Sequence, residues 1–528
     1  MARIEKRIAL RDAILTAINT SFDALMNHHM ESNRIFLYLK KNRFLLLAGL
    51  IILIGICFRV VMFLQNRNLI IDEANVVRNI YERSLPGLLK PLSYEQYAPP
   101  LYLWQLEVCS WIFGYSEYAM RLPALIWGVA ALFVFYAMAR RVMHERGAWM
   151  PLGLLAFAPI FIKYSAEVKQ YGPDAFTAIA LIYCALQTNI FTVTRRRFLL
   201  TWAIAGSIAV WNSQPSVFIL ASVGAYYFAL CAQQRRWDYW KLLLPIALIW
   251  FAQFAVYYEL ILKPQINSDY LQNYHHDYFL YAIPDNAEEW RHNWIRIQEI
   301  LHNTVGYSQR SYYLSMIFMV TGAVALMRRS LPLFLLLCMP IMITLIAAAL
   351  KQFSLIERVA LFMLPFTMLL TGYGFSEILK VKLQSVRFLF ICIGLNMLWE
   401  YNFRQLFYER FLFQELTIGF DFLLKKNVTG KKLYVDCTSR DTYIYYTEIH
   451  PDRKKYEPLK GAYLYGWAED DYRPALAHIK TPEAFLIFTG GSEEQRAHHV
   501  EQVKDVMDLY KSYDLKHCFI FEFVPKNH

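Results

Sequence analysis

Carboxylates and cations meet at four places in an otherwise strongly apolar sequence: Asp72-Glu73 with Arg59 upstream, Glu167-Val168-Lys169-Gln170-Tyr171, Lys351 followed by Glu357-Arg358, and His275-His276-Asp277. A carboxylate can take a proton from a hydroxyl, and a lysine or arginine can neutralise an anion as it departs. Ionisable groups held near hydrocarbon are costly and tend to mark function. Each group also has a plainer reading. Arg59 could snorkel toward headgroups, Asp72-Glu73 could cap a helix, and Glu167 and Lys169 could simply pair. Neighbouring histidines point apart on a helix or a strand, so His275 and His276 do not by themselves predict a metal. The combination is stronger than its members, because it is what a reaction on an anionic lipid headgroup would need.

The elements that must position these groups are membrane spans. The chain has 528 residues, of which 56% are hydrophobic and 18% charged, against about 25% charged in ordinary soluble domains. Apolar runs such as Leu331 to Leu350 reach the roughly 17 to 25 residues that cross a bilayer. The net charge of +11 does not point to nucleic acid, because the basic residues gather in short clusters between apolar runs: Arg140, Arg141 and Arg146; Arg195 to Arg197; Arg235, Arg236 and Lys241; Arg328 and Arg329; Lys380, Lys382 and Arg387. The positive-inside rule makes these cytoplasmic loops. About eleven spans result, near 44–64, 121–139, 148–163, 174–193, 198–212, 215–233, 241–261, 311–327, 331–350, 359–378 and 387–405. The expected architecture is an all-α polytopic membrane domain over 44–409, with outer loops at 65–120 and 262–310. A cytoplasmic amphipathic segment over 1–43 precedes it, and a small extracytoplasmic α/β domain over 410–528 follows.

Within the tail, Lys431 to Cys437, Phe485 to Thr489 and Cys518 to Val524 read as strands, and Glu493 to Tyr513 reads as a helix with Val500, Val503, Val506 and Leu509 on one face. Pro99 to Phe113 reads as an interfacial helix. Thr489-Gly490-Gly491 reads as a turn. No CxxC spacing occurs, and Cys437 and Cys518, both in expected strands, could form a bridge.

Ile71-Asp72-Glu73-Ala74, Pro99-Pro100-Leu101-Tyr102, Glu167-Val168-Lys169-Gln170-Tyr171 and Glu357-Arg358 ahead of Pro365 follow one another on one membrane face. In order and spacing they resemble the GT-C glycosyltransferases, the branch of protein O-mannosyltransferases, aminoarabinose transferases and bacterial polysaccharide-modifying enzymes. The resemblance covers about residues 40–405. Three positions depart from it: Ala98 stands where relatives often have His or Lys, Lys169 where they have Arg, and Val359 where they have Tyr.

The resemblance implies transfer of a sugar from a polyprenyl-phosphate donor to a hydroxyl of a glycan, a lipid-linked saccharide or a protein, with inversion, at the extracytoplasmic face of the plasma membrane. It implies Asp72 as base, with Glu73 and Glu167 orienting groups around it. Arg59, Lys169 and Arg358 become contacts of the donor phosphate, and Tyr102, Tyr171, His275 and His276 contacts of the substrates. Many relatives manage without a cofactor, although an acidic pair could bind a divalent metal. The alternative, a transporter or lipid flippase with an external binding domain, would place its ionisable groups near the bilayer midplane.

Overall fold

The computed structural model describes residues 34–266, 269–305, 309–399, 413–477 and 483–526. Two compact units divide the chain, Met1–Leu50 and Ile51–His528. Of the first, only the start of the opening helix is described, and the amphipathic segment expected before it lies outside the described residues.

In hydrocarbon a segment must bond its own N–H and C=O groups, so the apolar runs become helices. Helix α1 (Arg34–Leu64) is followed by α2 (Ile71–Glu82) and α3 (Pro100–Phe113) in the first expected loop. Next come α4 (Glu117–Val142), α5 (Glu145–Phe157), α6 (Pro159–Lys163) and α7 (Tyr171–Gln187). Then follow α8 (Arg195–Asn212), α9 (Ser216–Gln233) and α10 (Leu243–Tyr257). Helices Gln309–Arg329, Leu331–Ala349, Leu364–Ile378 and Gln384–Trp399 complete the bundle.

Every expected span falls on a helix, the last running past the described residues at 399. Among the described residues six helices are long and apolar enough to cross a membrane. Arg146–Phe157 with Pro159–Ala166, bent by 55°, makes a seventh; the rest are shorter or more polar. The bend has a covalent cause. Pro159 has no N–H to give to Leu155. It also drives Ala158 into extended backbone, φ -60° and ψ 120°. The carbonyls at the end of α5 therefore lose their helical donors.

The tail is a five-stranded sheet in the order β2-β1-β3-β5-β4, with β1 Leu433–Val435, β2 Tyr463–Leu464, β3 Ala484–Phe488, β4 Met507–Asp514 and β5 Phe519–Pro525. Strand β1 runs parallel to β2 and β3, whereas β5 is antiparallel to both β3 and β4.

The expected helix Glu493 to Tyr513 is corrected here. It ends at Lys504, and Met507–Asp514 pairs with β5. Val500 and Val503 are buried from the helix, but Val506 lies in the connection beyond it and Leu509 in β4. The hairpin turns at Lys516 and His517, both left-handed at φ 57° and 67°. Cys437 also lies outside a strand, opening helix Cys437–Ile444 behind its cap Asp436, and both Cys437 and Cys518 are free thiols.

One buried cluster joins the tail to the segment between α1 and α4. Leu69, Val76, Val77, Ile80, Leu103 and Leu106 pack with Leu416, Phe420, Tyr445 and Tyr446 of the tail.

Candidate active site

Asp72 and Glu73 occupy the first turn of α2, where the helix dipole favours negative charge. Being consecutive, they face different surroundings. Glu73 is fully buried, and its oxygens accept from Arg67 Nη1 at 2.7 Å, Arg121 Nε at 3.0 Å and Arg121 Nη2 at 2.9 Å. They also accept from the N–H groups of Val168 at 2.9 Å and Ile70 at 3.2 Å. Burial pushes its carboxyl up, but the Arg121 and Arg67 guanidiniums outweigh burial and hold it at about 2. Glu167 joins the cage through Arg67 Nη2 at 3.2 Å and Lys163 at 3.7 Å, yet burial leaves its carboxyl above the usual range.

Asp72 faces the open side, its side chain about a third exposed (34%), with Oδ2 3.7 Å from the Lys169 ammonium. Lys169 donates to Gln96 Oε1 at 2.6 Å, and Gln96 Nε2 in turn approaches Asp72 Oδ1 at 3.5 Å. Lys169 holds the Asp72 carboxyl below the usual range; burial opposes this and Arg358 reinforces it. Burial pushes the Lys169 ammonium down, with Asp72 opposing. Arg358 donates to the Tyr274 hydroxyl at 2.6 Å and acts electrostatically on Asp72, Lys169, Tyr171 and His275. The open face thus combines an ionised carboxylate, two cations and a bridging amide.

Tyr171 stacks edge-on to Tyr164 at 5.2 Å. Tyr102 is fully buried with an unpartnered hydroxyl, within electrostatic reach of Glu73, Glu167 and Asp174. His275 lies half-buried beside Tyr274, its Nδ1 unpartnered, whereas His276 is exposed against Asp277 at 3.3 Å. The two histidines therefore part company, and His276 is not gathered into the cluster.

Arg59, expected at the donor phosphate, is held elsewhere. It is 1% exposed and donates to the carbonyls of Gly55 at 3.0 Å, Ala156 at 2.9 Å and Leu155 at 3.1 Å. Leu155 and Ala156 lie at the end of α5 that Pro159 deprives of donors, so a guanidinium there replaces missing backbone bonds. Beside it, Gly128 makes room for Ser165: a Cβ there would stand 2.7 Å from Ser165 Cβ, whereas Arg59 Cδ at 3.7 Å would be in ordinary contact.

Sequence reasoning missed Arg67 and Arg121, which look like ordinary flanks of apolar runs, and Gln96, a neutral residue shortly before the double proline. It also missed Asp174, 5% exposed on α7 with Oδ1 unpartnered, near the unpartnered hydroxyl of Tyr257. Among the described residues no three metal-ligating side chains gather. The acidic pair suits a cation poorly, since two arginines saturate Glu73 and Lys169 stands beside Asp72.

The tail holds the segment carrying Asp72. Ile71 N donates to Gln414 Oε1 at 2.7 Å, Leu69 N to the Tyr446 hydroxyl at 3.0 Å and Asn68 N to Glu415 at 3.3 Å, while Asp441 takes bonds from Arg78 and Asn75.

The apolar helical bundle with its charged connecting segments and small α/β tail has the fold of the GT-C glycosyltransferases, as the motifs led one to expect, and the chain is a membrane protein. Residues 97–259 match the family model of dolichyl-phosphate-mannose-protein mannosyltransferase. That stretch contains Tyr102, Glu167, Lys169 and Tyr171 but not Asp72 or Arg358. The chain is similar to ArnT from Cupriavidus metallidurans bound to undecaprenyl phosphate, with a TM-score of 0.53 and 13% identity over 90% of this chain and 98% of that one. It is also similar to the Archaeoglobus fulgidus oligosaccharyltransferase tethered with an acceptor peptide, with a TM-score of 0.51 and 12% identity over 93% of this chain and 75% of that one. An uncharacterized protein of Aquifex aeolicus (strain VF5) is 28% identical over 203 residues, 36% of this chain and 40% of that relative.

Proposed function

We propose that this protein is a membrane glycosyltransferase that moves a sugar from a polyprenyl-phosphate donor to an acceptor hydroxyl at the extracytoplasmic face, with inversion. The observation that carries this reading is the ionised Asp72 beside buried Lys169 and within reach of Arg358. Asp72 takes the proton of the acceptor hydroxyl as its oxygen bonds the anomeric carbon. The bond from that carbon to the phosphate oxygen breaks, its electron pair goes to the phosphate, and Lys169 and Arg358 stabilise the charge. Gln96 sets the spacing between base and cation. Asp174 Oδ1 and the free hydroxyls of Tyr102 and Tyr257 offer polar atoms to the sugar or acceptor. Glu73, Glu167, Arg67 and Arg121 act as the frame, and Arg59 is reassigned to the bundle. The polyprenyl-phosphate ligand of ArnT supports the donor class by likeness of fold.

The direct test supplies purified protein with radiolabelled polyprenyl-phosphate sugars and candidate acceptors. Transfer supports the reading, and movement of lipid without transfer refutes it. The basic loops predict a cytoplasmic N-terminus with the tail outside. Protease should therefore cut within 413–526 from the extracytoplasmic side, and a tail cleaved only from the cytoplasmic side would overturn the orientation.

A further inference from the structure

At the end of the bundle away from Asp72, α8, α9 and α10 surround a cavity of about 280 Å³ lined mostly by apolar side chains, among them Phe198, Trp202, Tyr227, Trp240 and Trp250. Two bonds fix its place. Asn212, ending α8, donates to Thr177 near the start of α7 and hence near Tyr171, whereas Tyr227 donates to the Thr188 carbonyl just past the far end of α7. At a rise of about 1.5 Å per residue, the stretch from Thr177 to Thr188 separates these two levels by roughly 17 Å.

Basic residues outnumber acidic ones at the helix ends next to the cavity. Arg195, Arg196, Arg197, Arg235, Arg236 and Lys241 flank the three helices and are all exposed. Asp238 sits between Arg195 at 3.8 Å and Arg236 at 3.5 Å, leaving a clear positive excess. Trp237 and Trp240, 50% and 40% exposed, stand at the same level. Such amphipathic rings mark the boundary of hydrocarbon and headgroups. Arg235 keeps a left-handed backbone, φ 55°, that asparagine or glycine would adopt with less strain. A Cβ on Gly224, which lines the cavity, would meet nothing within 4 Å.

We propose that this groove seats an anionic phospholipid of the leaflet opposite the reaction centre. One acyl chain lies along Gly224, Phe228 and Trp250, and the phosphate rests on Arg195, Arg235 and Arg236. Charge complementarity selects the occupant: basic pockets between membrane helices favour lipids of net negative charge, whereas a zwitterionic headgroup sets its own cation against the arginines. The proposal is independent of the transfer reaction.

Native mass spectrometry of the full chain in detergent, titrated separately with dioleoyl phosphatidylglycerol and dioleoyl phosphatidylcholine, tests it. The first phosphatidylglycerol should bind at least about five-fold more tightly than the first phosphatidylcholine, since several basic residues near the headgroup each add to the attraction. Arg195→Gln and Arg235→Asn with Arg236→Gln should bring that ratio below about two, because asparagine suits the backbone at 235 and all three phosphate contacts have lost their charge. Gly224→Leu should weaken the first phosphatidylglycerol by about three-fold or more by filling the seat. Equal binding of the two lipids by the unaltered chain overturns the proposal without recourse to any variant. So does a preference that survives loss of the arginines, or a polypeptide that copurifies one-to-one and shuts lipid out.

Discussion

Replacing Glu73 by glutamine separates the carboxylate proposed to do chemistry, Asp72, from the one that holds the segment together. Five donors reach the Glu73 carboxylate at 2.7 to 3.2 Å, three of them guanidinium N–H groups. Glutamine keeps one acceptor oxygen and turns an NH2 toward groups that are themselves donors. At least two charge-assisted bonds are lost, at about 1.5 to 3 kcal/mol each. The result, about 3 to 6 kcal/mol, agrees with the roughly 3 to 5 kcal/mol for removing one partner of a buried ion pair. Glu73→Gln should therefore melt far below the parent chain at neutral pH in detergent, followed by tryptophan fluorescence. Turnover per folded molecule should fall much less than in Asp72→Asn. Acid should have a related effect. With Glu73 held at about 2 against an ordinary 4.5, the stability it confers is complete above the ordinary value and is lost as pH falls toward the lower one. A Glu73→Gln chain that melts like the parent but transfers no sugar would refute the reasoning and make Glu73 the base.

Asp72→Asn preserves shape but cannot take a proton, so turnover should drop about 100-fold or more with donor affinity nearly intact; single-turnover assays with labelled donor decide this. Lys169→Ala should weaken binding of undecaprenyl phosphate about ten-fold or more, the scale of one charge-assisted contact. In the unaltered chain that affinity should fall, as pH rises, before an ordinary lysine's 10.5 is reached, because burial lowers the point at which the ammonium loses its proton; equilibrium binding across pH would show it. Arg59→Leu should cost about 2 to 4 kcal/mol of stability by orphaning three carbonyls. Its folded fraction should bind undecaprenyl phosphate normally, and a ten-fold loss there would return Arg59 to the phosphate.

The spans were legible because about twenty successive apolar residues have few other destinies, and the break at Pro159 follows from a missing N–H. The candidate site was legible only in its charged members. Asp72, Lys169 and Arg358 announced themselves by type and by position beside hydrocarbon, but type alone does not tell Asp72 from Glu73. That difference depends on Arg67 and Arg121, which reach Glu73 from 6 and 48 positions away. Arg59 misled for the same reason, since a guanidinium bonding carbonyls looks in sequence like one awaiting a phosphate. In the tail, Val500, Val503, Val506 and Leu509 repeat at a regular short interval, which mimics a helical face across a helix end and a strand. The turn at Lys516-His517 lacks the glycine or asparagine that would have signalled it.

The bonds from Gln414, Glu415 and Tyr446 to the backbone of Asn68, Leu69 and Ile71 join residues 343 to 377 positions apart. During synthesis, then, the segment bearing Asp72 emerges long before the residues that fix it. On the proposed topology those residues must also cross the membrane before the site is complete. A partly made chain would carry the helices able to hold a polyprenyl lipid but no rigidly aimed carboxylate, and so could not squander donor on water. On the proposed function and topology, the carboxylate is aimed only once the tail has crossed the membrane and folded against the segment that bears it.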